Sequence, residues 1–140
     1  MSCVLRVSGT NLDLDALLES FPVRAFRTWR KGEPRIPASP DSKVNADFGA
    51  CFDVSLADFD EFAKQQEDAT NFLVSYRSAL RRLASFPGVE HAQLDFGVNG
   101  GASRAHSIVL SPAFLRAAAG AEVSVEISYY PLPEDEAVLG

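Results

Sequence analysis

Between residues 58 and 86, Phe59, Phe62, Gln66, Ala69, Leu73, Tyr76, Leu80 and Leu83 recur at steps of three and four. That spacing marks one face of a helix. Asp58, Asp60 and Glu61 crowd its start and Arg77, Arg81 and Arg82 its end, as the helix macrodipole favours. Ser55 and Asp58 read as a capping box with Asp at the far position, and Pro87-Gly88 is a stop signal. Uninterrupted, such a helix would run ~43 Å at ~1.5 Å per residue. Gln66 interrupts the apolar seam, so the pattern leaves open whether the helix breaks near residues 65–68 or runs on. The helix reads as the packing partner of a sheet.

The strands show as alternation. Over residues 3–8, Cys3, Leu5 and Val7 face one way and Val4, Arg6 and Ser8 the other. Leu14, Leu17, Leu18 and Phe21 then fall at helical spacing, with Asn11 or Asp13 as N-cap and Pro22 as terminator. Residues 23–29 form a poorly alternating strand, suited to a sheet edge. Residues 30–44 hold three prolines and a glycine and read as a loop, longer than the usual connection of about 4–6 residues. Ala46, Phe48, Ala50, Phe52 and Val54 make the cleanest strand, and Ala92, Leu94, Phe96 and Val98 the next. Asn99-Gly100-Gly101 predicts a hairpin returning through residues 107–110. Ser111-Pro112 opens a helix that Gly120 closes. Val123, Val125, Ile127 and Tyr129 mark the last strand.

The predicted order is β-α-β-β-α-β-β-α-β, an α+β fold with helices on one face of a largely antiparallel sheet. Its first six elements match a ferredoxin-like split βαβ, followed by an added hairpin, helix and strand. Residues 1–130 read as a single domain and residues 131–140 as an acidic, flexible tail.

If the apolar sets all face the helices, the other sheet face carries Arg6, Asp47, Cys51, Asp53, His91, Gln93, Asp95, Ser124, Glu126 and Ser128. It is polar, acidic and without large aromatics. RNA-binding sheets use stacking aromatics and basic charge, so neither RNA nor DNA is an expected partner. Asp47, Asp53, His91, Asp95 and Glu126 are the candidate partner-binding residues on this face. Cys3 and Cys51 fall on opposite faces and are expected to stay unpaired.

Composition sharpens this picture. The chain of 140 residues is 46% apolar with ten Phe, enough for one core. No run approaches the roughly 20 apolar residues of a membrane span. The start MSCVLRVSG lacks a basic leader and apolar run, so a cytoplasmic protein with free thiols is expected. The net charge is −6. Residues 24–43 carry Arg24, Arg27, Arg30, Lys31, Arg35 and Lys43 against Glu33 and Asp41, a net of +4 that leaves −10 for the rest. An acidic body favours basic partners.

No motif specifies a reaction. GVNGGAS over residues 97–103 lacks the Gly-Lys-Ser/Thr ending of a phosphate loop. His91 and Asp95 share a strand face but stand ~13 Å apart at ~3.3 Å per residue. No serine sits in a Gly-x-Ser-x-Gly frame, and no Cys or His pair has metal-ligand spacing. No cofactor or metal is expected. The most distinctive run is Trp29-Arg30-Lys31-Gly32-Glu33, where the only Trp stands between Arg27 and Arg30 at the mouth of the long loop. Trp and Arg are favoured at binding hot spots. Trp29, Arg30, Lys31 and Arg35 are therefore candidate ligand-binding residues.

A short strand, then Ser8-Gly9-Thr10-Asn11-Leu12-Asp13-Leu14-Asp15 opening a small helix, then a strand ending in Trp29-Arg30-Lys31-Gly32-Glu33, resembles a family of bacterial proteins catalogued only as a domain of unknown function. The resemblance is best over residues 3–33. It implies a small cytoplasmic α+β domain with no established chemistry, and some such proteins resemble immunity proteins, which bind toxins.

The leading expectation is a non-enzymatic, immunity-like protein-binding module whose acidic surface meets a basic protein partner. The alternative is a small-molecule binder or enzyme with an anionic ligand between the sheet edge and the 30–44 loop. A homodimer joined through the sheet is the third reading.

Overall fold

The computed structural model describes residues 2–100 and 107–131. The element order is β1 (Cys3–Gly9), α1 (Leu14–Ser20), β2 (Arg27–Trp29), β3 (Phe48–Ser55), α2 (Phe62–Ser75), α3 (Arg77–Ala84), β4 (His91–Gly100), α4 (Pro112–Gly120) and β5 (Ser124–Pro131). The fold is α+β, with a five-stranded sheet in the order β2-β3-β1-β4-β5. Every neighbouring pair is antiparallel except β4 and β5, which run parallel. A parallel pair needs a crossover, and α4 lies in it.

The phases of β1, β3 and β4 follow the alternation. Cys3, Leu5, Val7, Ala50, Phe52, Leu94 and Phe96 share one core with Leu14, Leu17, Ala69, Leu73, Leu80, Leu83 and Phe114. Asp13 caps α1, its carboxylate accepting from the Ala16 N–H at 3.1 Å. Ser111 caps α4 with Pro112 in its first turn. No helix among the described residues is long and apolar enough to cross a membrane.

Three expectations fail. The 58–86 stretch forms two helices, and the break falls at Tyr76, where φ is −111° and ψ 20°, eight to eleven residues beyond the 65–68 position that the seam allowed. Tertiary packing sets it: the Tyr76 ring lies 4.9 Å from Phe72 and 6.4 Å from Phe21, and α3 turns to bury Ala79, Leu80 and Leu83. Phe59 and Gln66 also leave the seam. Residues 58–61 form a turn closed by Glu61 N–H to Asp58 O at 3.0 Å, and the buried amide is Gln65, not Gln66. The Gln65 side-chain amide donates to Asp58 O and Gly97 O, both at 3.0 Å.

The predicted hairpin after β4 has no returning strand at residues 107–110. β5 takes that place beside β4, with Gln93 opposite Ser124 and Phe96 opposite Ile127. The observed order is thus β-α-β-β-α-α-β-α-β. Residues 101–106, which hold the end of the Asn-Gly-Gly turn, and the 132–140 tail lie outside the described residues.

The expected capping box at Ser55 is replaced by a tie between layers. The Ser55 hydroxyl donates to Asp68 at 2.7 Å and docks α2 on the end of β3. That bond comes first among the causes that hold the Asp68 carboxyl below its ordinary value of 3.8; burial opposes it, and Lys64 at 3.2 Å assists. A depressed folded-state pKa stabilises above the unfolded value and is lost as pH falls through the folded one. Asp68→Asn should therefore be destabilising at neutral pH, and its deficit against the native protein should shrink as pH drops below 3.8. Urea midpoints across that range test it; a deficit independent of pH would show that the carboxylate charge is not what Ser55 stabilises.

Candidate functional site

The long connection between β2 and β3 is an ordered arm. Pro34 bridges Val44 in antiparallel fashion, Arg35 N–H donates to Lys43 O at 2.8 Å, and Asn45 N–H to Glu33 O at 2.8 Å. Its entry is a turn over residues 30–33: Glu33 N–H donates to Arg30 O at 3.2 Å, and Gly32 has φ of +85°. A positive φ at the third position is the type II signature, which explains the glycine in this run.

Between β2 and the arm lies a cleft of about 630 Å³, bounded by Arg27, Trp29, Pro34, Arg35, Ile36 and Asp47 among others. Trp29 forms its back wall. The indole N–H donates to the Asp47 carboxylate at 2.8 Å, and the Arg27 guanidinium carbon stands 5.2 Å from the ring centroid, within cation–π range. The ring can lie there because its cross-strand partner is Gly49: a Cβ on Gly49 would come within 2.0 Å of Trp29 Cζ2. Gly49→Ala should push the indole off the strand and cost roughly 1–3 kcal/mol by overpacking. Because the chain has one Trp, emission reads the event directly. An unshifted spectrum would mean that Trp29 is not seated on Gly49.

Of the four loop-side candidates, two line the cleft and two turn away. Trp29 and Arg35 border it. Arg30 pairs with Asp15 at 2.7 Å, a bond that holds the Asp15 carboxyl below its ordinary range. Lys31 donates to Thr10 O at 3.5 Å. These two pin the arm to α1 and the end of β1. The residue not anticipated is Arg27. Its spacing two positions before Trp29 on a strand puts both on one face, and that was the available signal.

The sheet-face candidates do not converge. Asp47 is taken by the indole N–H. Asp53, His91 and Glu126 are exposed, and Glu126 accepts from Gln93 at 2.8 Å. Asp95 is only 8% exposed. It accepts from Arg6 at 3.4 Å and from the Ser128 hydroxyl at 2.7 Å. The expectation of a face without large aromatics is wrong. Phe26, Phe59 and Tyr130 border a small cavity with Arg6, Cys51 and Asp95, and Trp29 lies on the same face. Phe26 and Phe59 come from outside the regular strands, and Tyr130 lies just past the predicted end of the last one, so alternation could not place them.

Both cysteines are free and buried. Burial first, then the Asp95 and Asp68 charges, push the Cys3 thiol far up. The carboxylates of Asp58, Asp60 and Glu61 lie within 4.8 Å of one another and are exposed; Glu61 accepts there from the Asp58 N–H at 3.0 Å, the turn before α2. Comparison with protein-family profiles, with curated proteins and with solved structures found no match.

Proposed function

We propose that the protein is a binding module and that its site is the cleft between β2 and the 30–45 arm, where an anionic ligand sits against Trp29 between Arg27 and Arg35. The observation that carries this is the pairing of a 630 Å³ cleft with two guanidiniums that make no ion pair among the described residues. Ligand sites commonly measure about 300–1,000 Å³, and here the two guanidiniums share the lining with the Glu33 and Asp47 carboxylates. Pro34 and Ile36 supply the apolar wall, and Arg supplies a planar fork for a carboxylate or phosphate.

An immunity-like module meeting a basic partner through Asp47, Asp53, His91, Asp95 and Glu126 has less support. Asp47 and Asp95 spend their carboxylates on Trp29, Arg6 and Ser128, and Arg6 and Arg27 share that face. The case against nucleic acid rests on charge alone now that aromatics are found there: the net charge of −6 opposes the many phosphate contacts of a nucleic-acid backbone. We read the β2-β3-β1-β4 core as a ferredoxin-like split βαβ with α4 and β5 added. Its support is the antiparallel order, with α1 between β1 and β2 and α2–α3 between β3 and β4.

Trp29 emission tests the proposal. Titration with inorganic phosphate, short carboxylates and acidic peptides should give a saturable change with at least one class. Arg35→Ala should weaken that binding by roughly ten- to a hundredfold, the loss of one charge-assisted bond, with an unchanged melting temperature. A saturable response indifferent to Arg35→Ala, or none from any probe, refutes the site.

A further inference from the structure

The centre of the sheet face opposite the helices holds a second arrangement that the cleft does not explain. Cys51 is directly cross-strand from Arg27 on one side and from Arg6 on the other. Opposed Cβ atoms stand about 4.5–5.5 Å apart on a sheet, so two guanidiniums flank one thiol. All three border a cavity of about 180 Å³. Only one carboxylate, Asp95, borders it too, and Arg6 takes that charge at 3.4 Å. Arg27 makes no ion pair among the described residues.

The thiol does not supply the missing anion. Burial pushes the Cys51 thiol up, against the pull of Arg6 and Arg27. Burial works against charge on Arg6, and the Asp95 carboxylate at 3.4 Å offsets it.

Three aromatic side chains also line the cavity. The Phe59 and Tyr130 rings meet with centroids 5.2 Å apart over Gly97, where a Cβ would come within 3.2 Å of each ring. Phe26 adds a third aromatic wall. The open face of an antiparallel sheet is ordinarily polar, so three aromatic side chains beside two guanidiniums set this spot apart from the rest of the face.

We propose that this cavity is a second binding site, for a short carboxylate with a small apolar tail. The carboxylate lies between the Arg6 and Arg27 guanidiniums above Cys51, and the tail lies against Phe26, Phe59 and Tyr130. Paired guanidiniums match a carboxylate's two oxygens. The aromatic side chains favour an anion with an apolar tail over inorganic phosphate. The site goes beyond the cleft at Trp29 and shares only Arg27 with it.

Cys51 makes the site testable, because iodoacetate is a short carboxylate that also alkylates thiols, and iodoacetamide is its neutral counterpart. An ordinary thiolate repels the anionic reagent. Cys51 should show an iodoacetate-to-iodoacetamide rate ratio higher than that of free cysteine by about tenfold, the scale of one charge-assisted contact. Arg6→Gln and Arg27→Gln should each lower the ratio towards that of free cysteine, while Arg116→Gln, an equal change of net charge on α4, should not. Propionate should protect Cys51 of the native protein from iodoacetamide, and inorganic phosphate should not. Cys3, fully buried, stays unlabelled in any variant that folds. Should Arg6→Gln expose Cys3, Arg27→Gln and propionate protection decide. A Cys51 that resists both reagents, a ratio indifferent to the arginines, or equal protection by phosphate overturns the proposal. Trp29 emission reports the cleft separately, so either site can fail alone.

Discussion

Phe96→Ala is expected to be the most damaging single truncation, at about 3–5 kcal/mol. Phe96 is fully buried in β4. Its ring packs edge-on against Phe62 of α2 at 5.3 Å and Phe114 of α4 at 5.5 Å. One side chain thus joins two helices to the sheet. Its loss removes a large buried area and leaves a cavity that three elements must close together, which a sheet and two helices cannot do without moving as units. Aromatic pairs add about 0.5–1.5 kcal/mol beyond burial, so Phe96→Leu should recover much but not all of the deficit. Urea denaturation of both variants measures this. A loss below about 1 kcal/mol for Phe96→Ala would mean that the site collapses freely and that α4 does not depend on this contact.

Gly9→Ala should be the most damaging addition of a single methyl group. A Cβ there would sit 1.8 Å from Gly88 O, 2.9 Å from Gly88 C and 3.3 Å from Glu90 N. All three are backbone atoms, so no rotamer change relieves the clash. The segments cannot separate without loss either. Glu90 N–H donates to Ser8 O at 2.9 Å, and the Thr10 N–H and hydroxyl both donate to the Glu90 carboxylate. Gly88 is itself committed, with φ of +90°. Overpacking commonly costs about 1–3 kcal/mol and sometimes more; here the top of that range or beyond is expected. Thermal melts of Gly9→Ala beside Gly100→Ala, where the nearest contact is 3.3 Å, provide the comparison. Equal melting temperatures would show that the crossing is looser than these contacts require.

Gly9 also explains part of the Ser8–Asp15 run. The glycine lets β1 end against the α3–β4 turn, Asp13 caps α1, and Asp15 holds Arg30. Gly32 turns the chain after Trp29. These motif residues organise structure, and of the five from Trp29 to Glu33, Trp29 and Glu33 border the cleft.

The sequence alone determined the faces of β1, β3 and β4, the cap of α4, the edge position of β2, and the separation of Cys3 from Cys51. Each is set by local periodicity or by a side chain bonding within three residues, so neighbouring positions suffice to read it. Only tertiary structure decided the rest. The helix breaks at Tyr76 because α3 has to return to the core, a demand made by Phe21 from far along the chain. β5 joins β4 in parallel because α4 carries the chain back, a choice that strand alternation does not encode. The polar face gained its aromatic side chains from Phe26 and Phe59, which belong to no strand, and from Tyr130. Both arginine sites arise from partners distant in sequence: Trp29 needs the bare backbone of Gly49, and Cys51 meets Arg6 and Arg27 only when three strands lie side by side. Cross-strand neighbours are created by register, and register is a property of the assembled sheet.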